Sequence, residues 1–175
     1  MNDMRLVKKR LMFSVAEDSY FLTYNIILIL GLLQCINDTY LKDSNKIALL
    51  VTIIEKPQNI KVVKKIIRDT ELNENDKNVL FDMYYNSKLR MRSVLSIIFS
   101  LNKKGIINVR KNRKTIDISL TNKNIFFNFN NNKIFENDVK TYQDIFSSIN
   151  KIRNIVSDTL NSKIFKGIKE EVWDI

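Results

Sequence analysis

The sequence predicts a mainly α-helical protein with one small β-hairpin. The expected arrangement is a winged-helix-like unit with flanking N-terminal helices and an amphipathic C-terminal helical tail. Three observations carry that prediction. Apolar residues recur at steps of three and four over most of the 175 residues. Two short, β-branched, alternating segments, Ile106–Arg110 and Ile116–Leu120, flank the polar turn Lys111–Thr115. Gly105 follows Lys103 and Lys104, where a left-handed cap would close a helix just before the hairpin. Residues 1–135 are expected to form the winged-helix domain, with the hairpin at about 106–120. Residues 136–175 are expected to form a helical extension, packed on that domain or on a partner.

The elements follow in order. Phe21–Ile36 is apolar on nearly every side, which marks a helix surrounded by others. Asn37, Asp38 and the run from Lys42 to Asn45 break it. A second helix, Asn45–Glu55, is ended by Pro57, which cannot donate to the preceding turn. A short third helix sets Val62, Val63, Ile66 and Ile67 against Lys61, Lys64, Lys65 and Arg68. Asn73 to Asp76 reads as a helix start with acids in its first turn. That fourth helix is expected to stop at Asn86–Ser87, and a fifth to run from Lys88 to Lys104 with Phe99 in its apolar set. The Asn-rich Asn122–Asn132, carrying Phe126, Phe127 and Phe129, is expected to be a third short strand or a loop. From Asp138 onward a long helical stripe returns through Val139, Tyr142, Phe146, Ile149, Ile152, Val156 and Leu160. A terminal segment adds Ile164, Phe165, Ile168 and Val172.

Composition excludes more than it suggests. The chain has no His, one Cys and three Gly. No Ser-His-Asp triad, Cys-His pair or histidine metal site can be built. One thiol allows no internal disulfide and no multi-cysteine zinc cluster. Gly31, Gly105 and Gly167 are too far apart for a Walker loop or a dinucleotide fingerprint. The remaining enzyme motif is Asp138-Val139-Lys140 with Asp117 upstream, the Asp-x-Lys form of a restriction-type nuclease centre. In such centres the acid and the Lys share a strand, whereas Asp138 opens a helical pattern. No catalytic residue, metal ligand or cofactor is therefore expected in this chain.

The net charge of +10 is unevenly placed. Asn, Ile and Lys together supply 22, 25 and 21 residues, the bias of an AT-rich genome, so part of the Lys content is compositional background. Yet residues 101–135 hold eight basic side chains and one acidic, a net +7. The nucleic-acid-binding candidates are Lys103, Lys104, Arg110, Lys111, Arg113 and Lys114, with Lys88, Arg90 and Arg92 at the start of the preceding helix. A helix entering the major groove and a wing reaching phosphate would use them together. Candidate partner-binding residues are Tyr142, Phe146, Ile149, Phe165, Ile168 and Trp173 on the C-terminal stripe. The same stripe could instead fold back on the Phe21–Ile36 helix. That apolar helix, about 16 residues interrupted by Thr23, Asn25 and Gln34, falls short of the roughly 20 residues a membrane span needs. With Cys35 lone inside it, the expectation is a cytoplasmic protein with no membrane partner.

Several of these features resemble one bacterial family when taken in order. They are the apolar helix introduced by Tyr24-Asn25-Ile26, a second apolar helix containing Lys46–Ile54, a polar middle, the helix-Gly-hairpin unit Ser93–Thr121, and an amphipathic tail. Together they resemble the middle component of ABC-three-component systems, the group that includes Lamassu-type anti-phage defence. The resemblance implies a non-catalytic winged-helix adaptor joining an SMC-like ABC ATPase to a nuclease or other effector subunit. ATP and Mg²⁺ would then belong to those partners, and double-stranded DNA would be a further partner through the wing. Related proteins follow the hairpin with Thr-x-x-Gly, whereas Thr121-Asn122-Lys123-Asn124 puts Asn in the Gly place. The second expectation is a stand-alone winged-helix DNA-binding transcriptional regulator.

Overall fold

A computed structural model describes residues 18–130, 136–149 and 151–166. Helix α1 covers 18–32. After it come α2 (Lys46–Glu55), α3 (Pro57–Ile67), α4 (Glu74–Lys103), the strands β1 (Ile107–Lys111) and β2 (Ile116–Leu120), then α5 (Lys123–Asn130), α6 (Glu136–Ser148) and α7 (Ser157–Ile164). The protein is thus mainly helical with one two-stranded antiparallel sheet, as the periodicity predicts.

The core is laid down by α1 and α2. Ile26 to Leu30 of α1 and Ile47 to Ile54 of α2 are buried without interruption, so these stretches of the two helices are enclosed on all sides. Gln34 and Asn37 adopt left-handed backbone angles as the chain leaves α1. The segment beyond turns at residues 37–38 and meets β2 on both sides of that turn: Ile36 bridges Leu120, and Leu41 bridges Ile118. β2 is therefore flanked by β1 on one side and by the α1–α2 connection on the other. Pro57 occupies the first turn of α3, where its missing N–H costs nothing. α2 packs against α3 and α4, α6 against α3, and the end of α4 against β1.

Both ends of α4 obey the sequence signals. Asn73 accepts from the Asp76 amide at 2.9 Å while the Asp76 carboxylate accepts from the Asn73 amide at 3.1 Å, a capping box. At the other end the Gly105 amide donates to the Asn102 carbonyl and the Ile106 amide to the Leu101 carbonyl, both at 3.0 Å. That is a Schellman cap, with Gly105 at φ +70°.

Four expectations need correction. Asn86–Ser87 does not break α4, which runs unbroken for 30 residues. Ser87 is buried and donates to the Tyr84 carbonyl at 2.8 Å, so its hydroxyl is satisfied inside the helix. Phe99 is 46% exposed and does not belong to the core. The Asn-rich segment is helix α5, neither strand nor loop: Asn122 accepts from the Asn124 amide at 2.9 Å and starts it. The C-terminal stripe is not one helix, because Lys151, at φ 56°, turns the chain between α6 and α7.

One contiguous cluster of buried residues takes members from α1 to α4, both strands, α6 and α7, including Ile145, Phe146, Leu160 and Ile164, with Ile125 and Phe126 of α5 partly buried against it. The bulk of residues 136–166 is thus joined to the same core as the helices before it.

Candidate functional site

The hairpin positions the densest group of cations. β1 and β2 pair in register from Ile107 opposite Leu120 to Lys111 opposite Ile116. The turn is closed by the Asn112 amide donating to the Thr115 carbonyl at 2.8 Å. Ile107, Ile118 and Leu120 face the core and are buried. Lys111, Arg113 and Lys114 project from the tip and are exposed.

Asp117, the one acid of this region, is only 2% exposed. Its carboxylate accepts from the Asp43 amide at 3.0 Å, from the Thr115 hydroxyl at 3.3 Å and from the Arg110 guanidinium at 3.3 Å, with a further bond from the Asn112 side chain. It therefore clamps the base of the tip to the α1–α2 connection. Arg110 is held twice, because its guanidinium also lies 4.1 Å from the centre of the Tyr40 ring. The cations left for a ligand at the tip are Lys111, Arg113 and Lys114.

The other nucleic-acid candidates divide. Arg90 forms a bidentate ion pair with Glu55 of α2, one bond at 2.6 Å, and is consumed in joining α4 to α2. Lys88 is exposed, with its ammonium 5.5 Å from the Tyr84 ring centre. Arg92, Lys103 and Lys104 are exposed. Lys103 and Lys104 stand at the base of the hairpin, not at its tip. Four steps along β1, roughly 13 Å at about 3.3 Å per residue, separate Ile107 from Lys111. The basic set is thus two groups and not one patch.

The partner-binding candidates lie elsewhere than an interface would need. Tyr142, Phe146, Ile149 and Phe165 are buried in the chain's own core. Phe165 meets Tyr84 of α4 edge to face at 5.3 Å. Their burial within the chain agrees with folding back rather than facing a partner, with α6 against α3 and Phe165 against Tyr84 of α4 among the contacts. Ile168 and Trp173 lie outside the described residues.

A polar constellation that periodicity does not reveal lies beneath the hairpin. Lys46, in the first turn of α2, is 1% exposed. Its ammonium donates to the carbonyls of Ile152 (2.6 Å), Arg153 (3.0 Å) and Ile155 (2.7 Å) in the α6–α7 turn. Burial pulls its pKa down to about 8, with Asp43 and Asp117 acting the other way. Asp43 in turn accepts from the Ser157 amide and hydroxyl at 2.8 and 2.6 Å. Burial pushes the neighbouring Cys35 thiol up to about 12, so it stays protonated and inert. All of these groups are matched to one another, and the constellation is a structural joint.

For the nuclease motif, Asp117 is spent in the clamp and Asp138 belongs to helix α6, so the two acids do not share a sheet. Among the described residues no group of three or more Cys, Asp or Glu side chains could hold a metal ion. Nor is any helix among them long and apolar enough to cross a membrane. A comparison with protein-family models finds no match, and searches of curated proteins and of solved structures find none either.

Proposed function

We propose that this chain is a non-catalytic, winged-helix-type adaptor whose hairpin tip contacts the phosphate backbone of double-stranded DNA. In this reading it is the small subunit of a bacterial anti-phage defence complex, joining an SMC-like ABC ATPase to a nuclease-type effector. ATP and Mg²⁺ act on those partners. The observation that carries the nucleic-acid part is the tip itself. Lys111, Arg113 and Lys114 are exposed, while the Asp117 carboxylate is buried beneath them and paired with Arg110. Lys and Arg so placed release condensed counterions from DNA and impose a steep dependence on salt. The two isolated bridges from Ile36 and Leu41 to β2 support the winged reading, since they tie the inner strand of the hairpin to the helical body and leave β1 and the tip outside. The adaptor part rests on the order of elements described above.

The test replaces Lys111, Arg113 and Lys114 by Ala together and measures binding of a 20-base-pair duplex at low salt. Three lost phosphate contacts should weaken binding by about tenfold to a hundredfold and flatten the salt slope by about 2–3 units. Unchanged affinity with an unchanged slope rejects the DNA contact. For the adaptor, co-expression with an SMC-like ABC ATPase and a nuclease-type effector from the same operon, which the reading expects, should yield one complex containing all three. A chain that purifies without either partner rejects that role.

A further inference from the structure

The outer face of α4 is built unlike the surface of a helix that meets only water. Taking 100° per residue, Tyr85, Leu89, Arg92, Ser96, Phe99 and Lys103 fall within about 40° of one line down the helix. Tyr85 is 58% exposed, Leu89 76% and Phe99 46%. Across a cleft of about 570 Å³, the start of α1 presents Phe21 beside Leu89 and Ile97. Five of the seven exposed large apolar side chains among the described residues belong to these two helices, with Tyr20 the fifth. An apolar concentration of this kind marks a surface for a macromolecule.

Charge selects the occupant. Between Met83 and Lys104 the sequence has no Asp or Glu at all, but it has Lys88, Arg90, Arg92, Lys103 and Lys104. Only Arg90 is neutralised, by Glu55. Among the described residues no carboxylate pairs with Arg92, Lys103 or Lys104. An apolar seam edged by unpaired cations is complementary to an amphipathic helix with an acidic rim. A second copy of this chain would bring the same cations face to face. The chain's own residues 1–17 carry Arg5, Lys8, Lys9 and Arg10 against Asp3 and Glu17, a net charge of the same sign as the groove and not the complementary one. A DNA groove offers polar base edges and phosphates, which leave Leu89 and Phe99 without a partner.

We infer that the α4 face from Tyr85 to Lys103, with the start of α1, is a docking groove for an acidic amphipathic helix of a protein partner. The seam is about 27 Å long at 1.5 Å per residue, the length of an 18-residue helix. The groove is separate from the hairpin tip, so it stands or falls apart from the DNA contact.

The probe is an 18-residue peptide, stapled as a helix, with Leu at the first and fourth positions of each heptad and Glu on the flanks. Its control carries Lys for Glu. Binding to the full chain is followed by fluorescence anisotropy. The Glu peptide should bind at least about tenfold tighter than the Lys peptide, and weaken about tenfold or more with Leu89→Glu, an exposed change at the centre of the seam. Arg92→Glu should weaken it as well, while the Lys111, Arg113 and Lys114 triple Ala variant should bind it normally. Equal binding of the two peptides, or binding indifferent to Leu89→Glu, overturns the inference. So does sedimentation showing a dimer that Leu89→Glu dissolves, which makes the occupant a second copy. Glu-peptide binding that appears only after removal of residues 1–17 assigns the groove to that segment instead. Loss of duplex binding in Leu89→Glu makes it a DNA face.

Discussion

Lys46 shows how a single residue can escape a pattern and still decide the structure around it. Its place in an apolar run is what a buried helix position looks like, yet nothing in the spacing says that a charged group would be enclosed there. The reason lies more than a hundred residues away, in three carbonyls freed where the chain turns between α6 and α7. Buried carbonyls in a turn need a donor, and Lys46 supplies one from another element. The enclosure has a signature in pH. With a folded pKa near 8 and an unfolded value near 10.5, the native state holds fewer protons between those limits. Stability therefore rises with pH across that window, by on the order of 3 kcal/mol at most. Urea unfolding of the wild type and of Lys46→Met at pH 7 and pH 10 should show this rise in the wild type only. A difference between the two proteins that does not change with pH removes the buried cation from the account. Asp76 has the opposite sense: the Lys65 bond holds its carboxyl below the usual range, and that contribution disappears in acid.

At the scale of elements, the caps and the hairpin were readable because their chemistry is local. Gly105, the Asn73–Asp76 box and the alternation of Ile116–Leu120 each need only neighbours in sequence. What could not be read depends on contacts across the fold. Asn86–Ser87 looks like a break until Ser87 is found bonded back to Tyr84 and buried against the rest of the protein. Helix α5 is another case, since eight residues rich in Asn have little helical preference of their own. Its anchor is Phe126, whose ring lies over Gly31 of α1, so that a Cβ at position 31 would overlap it. Gly31→Ala should gain about 1 kcal/mol in helix propensity and lose about 2–3 kcal/mol to that overlap, a net destabilisation in thermal unfolding. In a Phe126→Ala background the same change should be neutral or stabilising. Additive effects of the two substitutions would mean that the ring and the glycine are not coupled.

For the molecule as a whole, the sequence located the charge and misjudged its geometry. The excess over residues 101–135 is real in sequence, but the strand length divides it between a tip and a base, and Asp117 withdraws Arg110 from it, while Glu55 withdraws Arg90 from the wider set of basic candidates. The apolar stripe of the C-terminal part was equally visible, and Tyr142, Phe146, Ile149 and Phe165 are spent on the interior. Periodicity shows that a face is apolar, not what covers it. Exposed apolar side chains gather instead on α4 and the start of α1, and one of them, Phe99, reads as ordinary core in the sequence. Because one cluster of buried residues reaches from α1 to α7, the chain should unfold as one unit. Native-state hydrogen exchange should give the amides of Ile145 and Leu160 opening free energies within about 1 kcal/mol of those of Leu50 and Ile53. A gap of several kcal/mol would separate the C-terminal helices as an independent layer.

The bridges from Ile36 and Leu41 to β2 also set an order of assembly. β1 finds its neighbour within a few residues, but the other side of β2 waits for a segment some eighty positions earlier. As the chain leaves a ribosome, α1 and α2 can collapse early, while the stretch between them has no strand to join until Leu120 has emerged. The loop that closes at that moment contains α2, α3 and α4. The slow entropic step of folding is thus expected at the hairpin, and the same small sheet that carries the basic tip is the last tie that fixes the N-terminal helices in place.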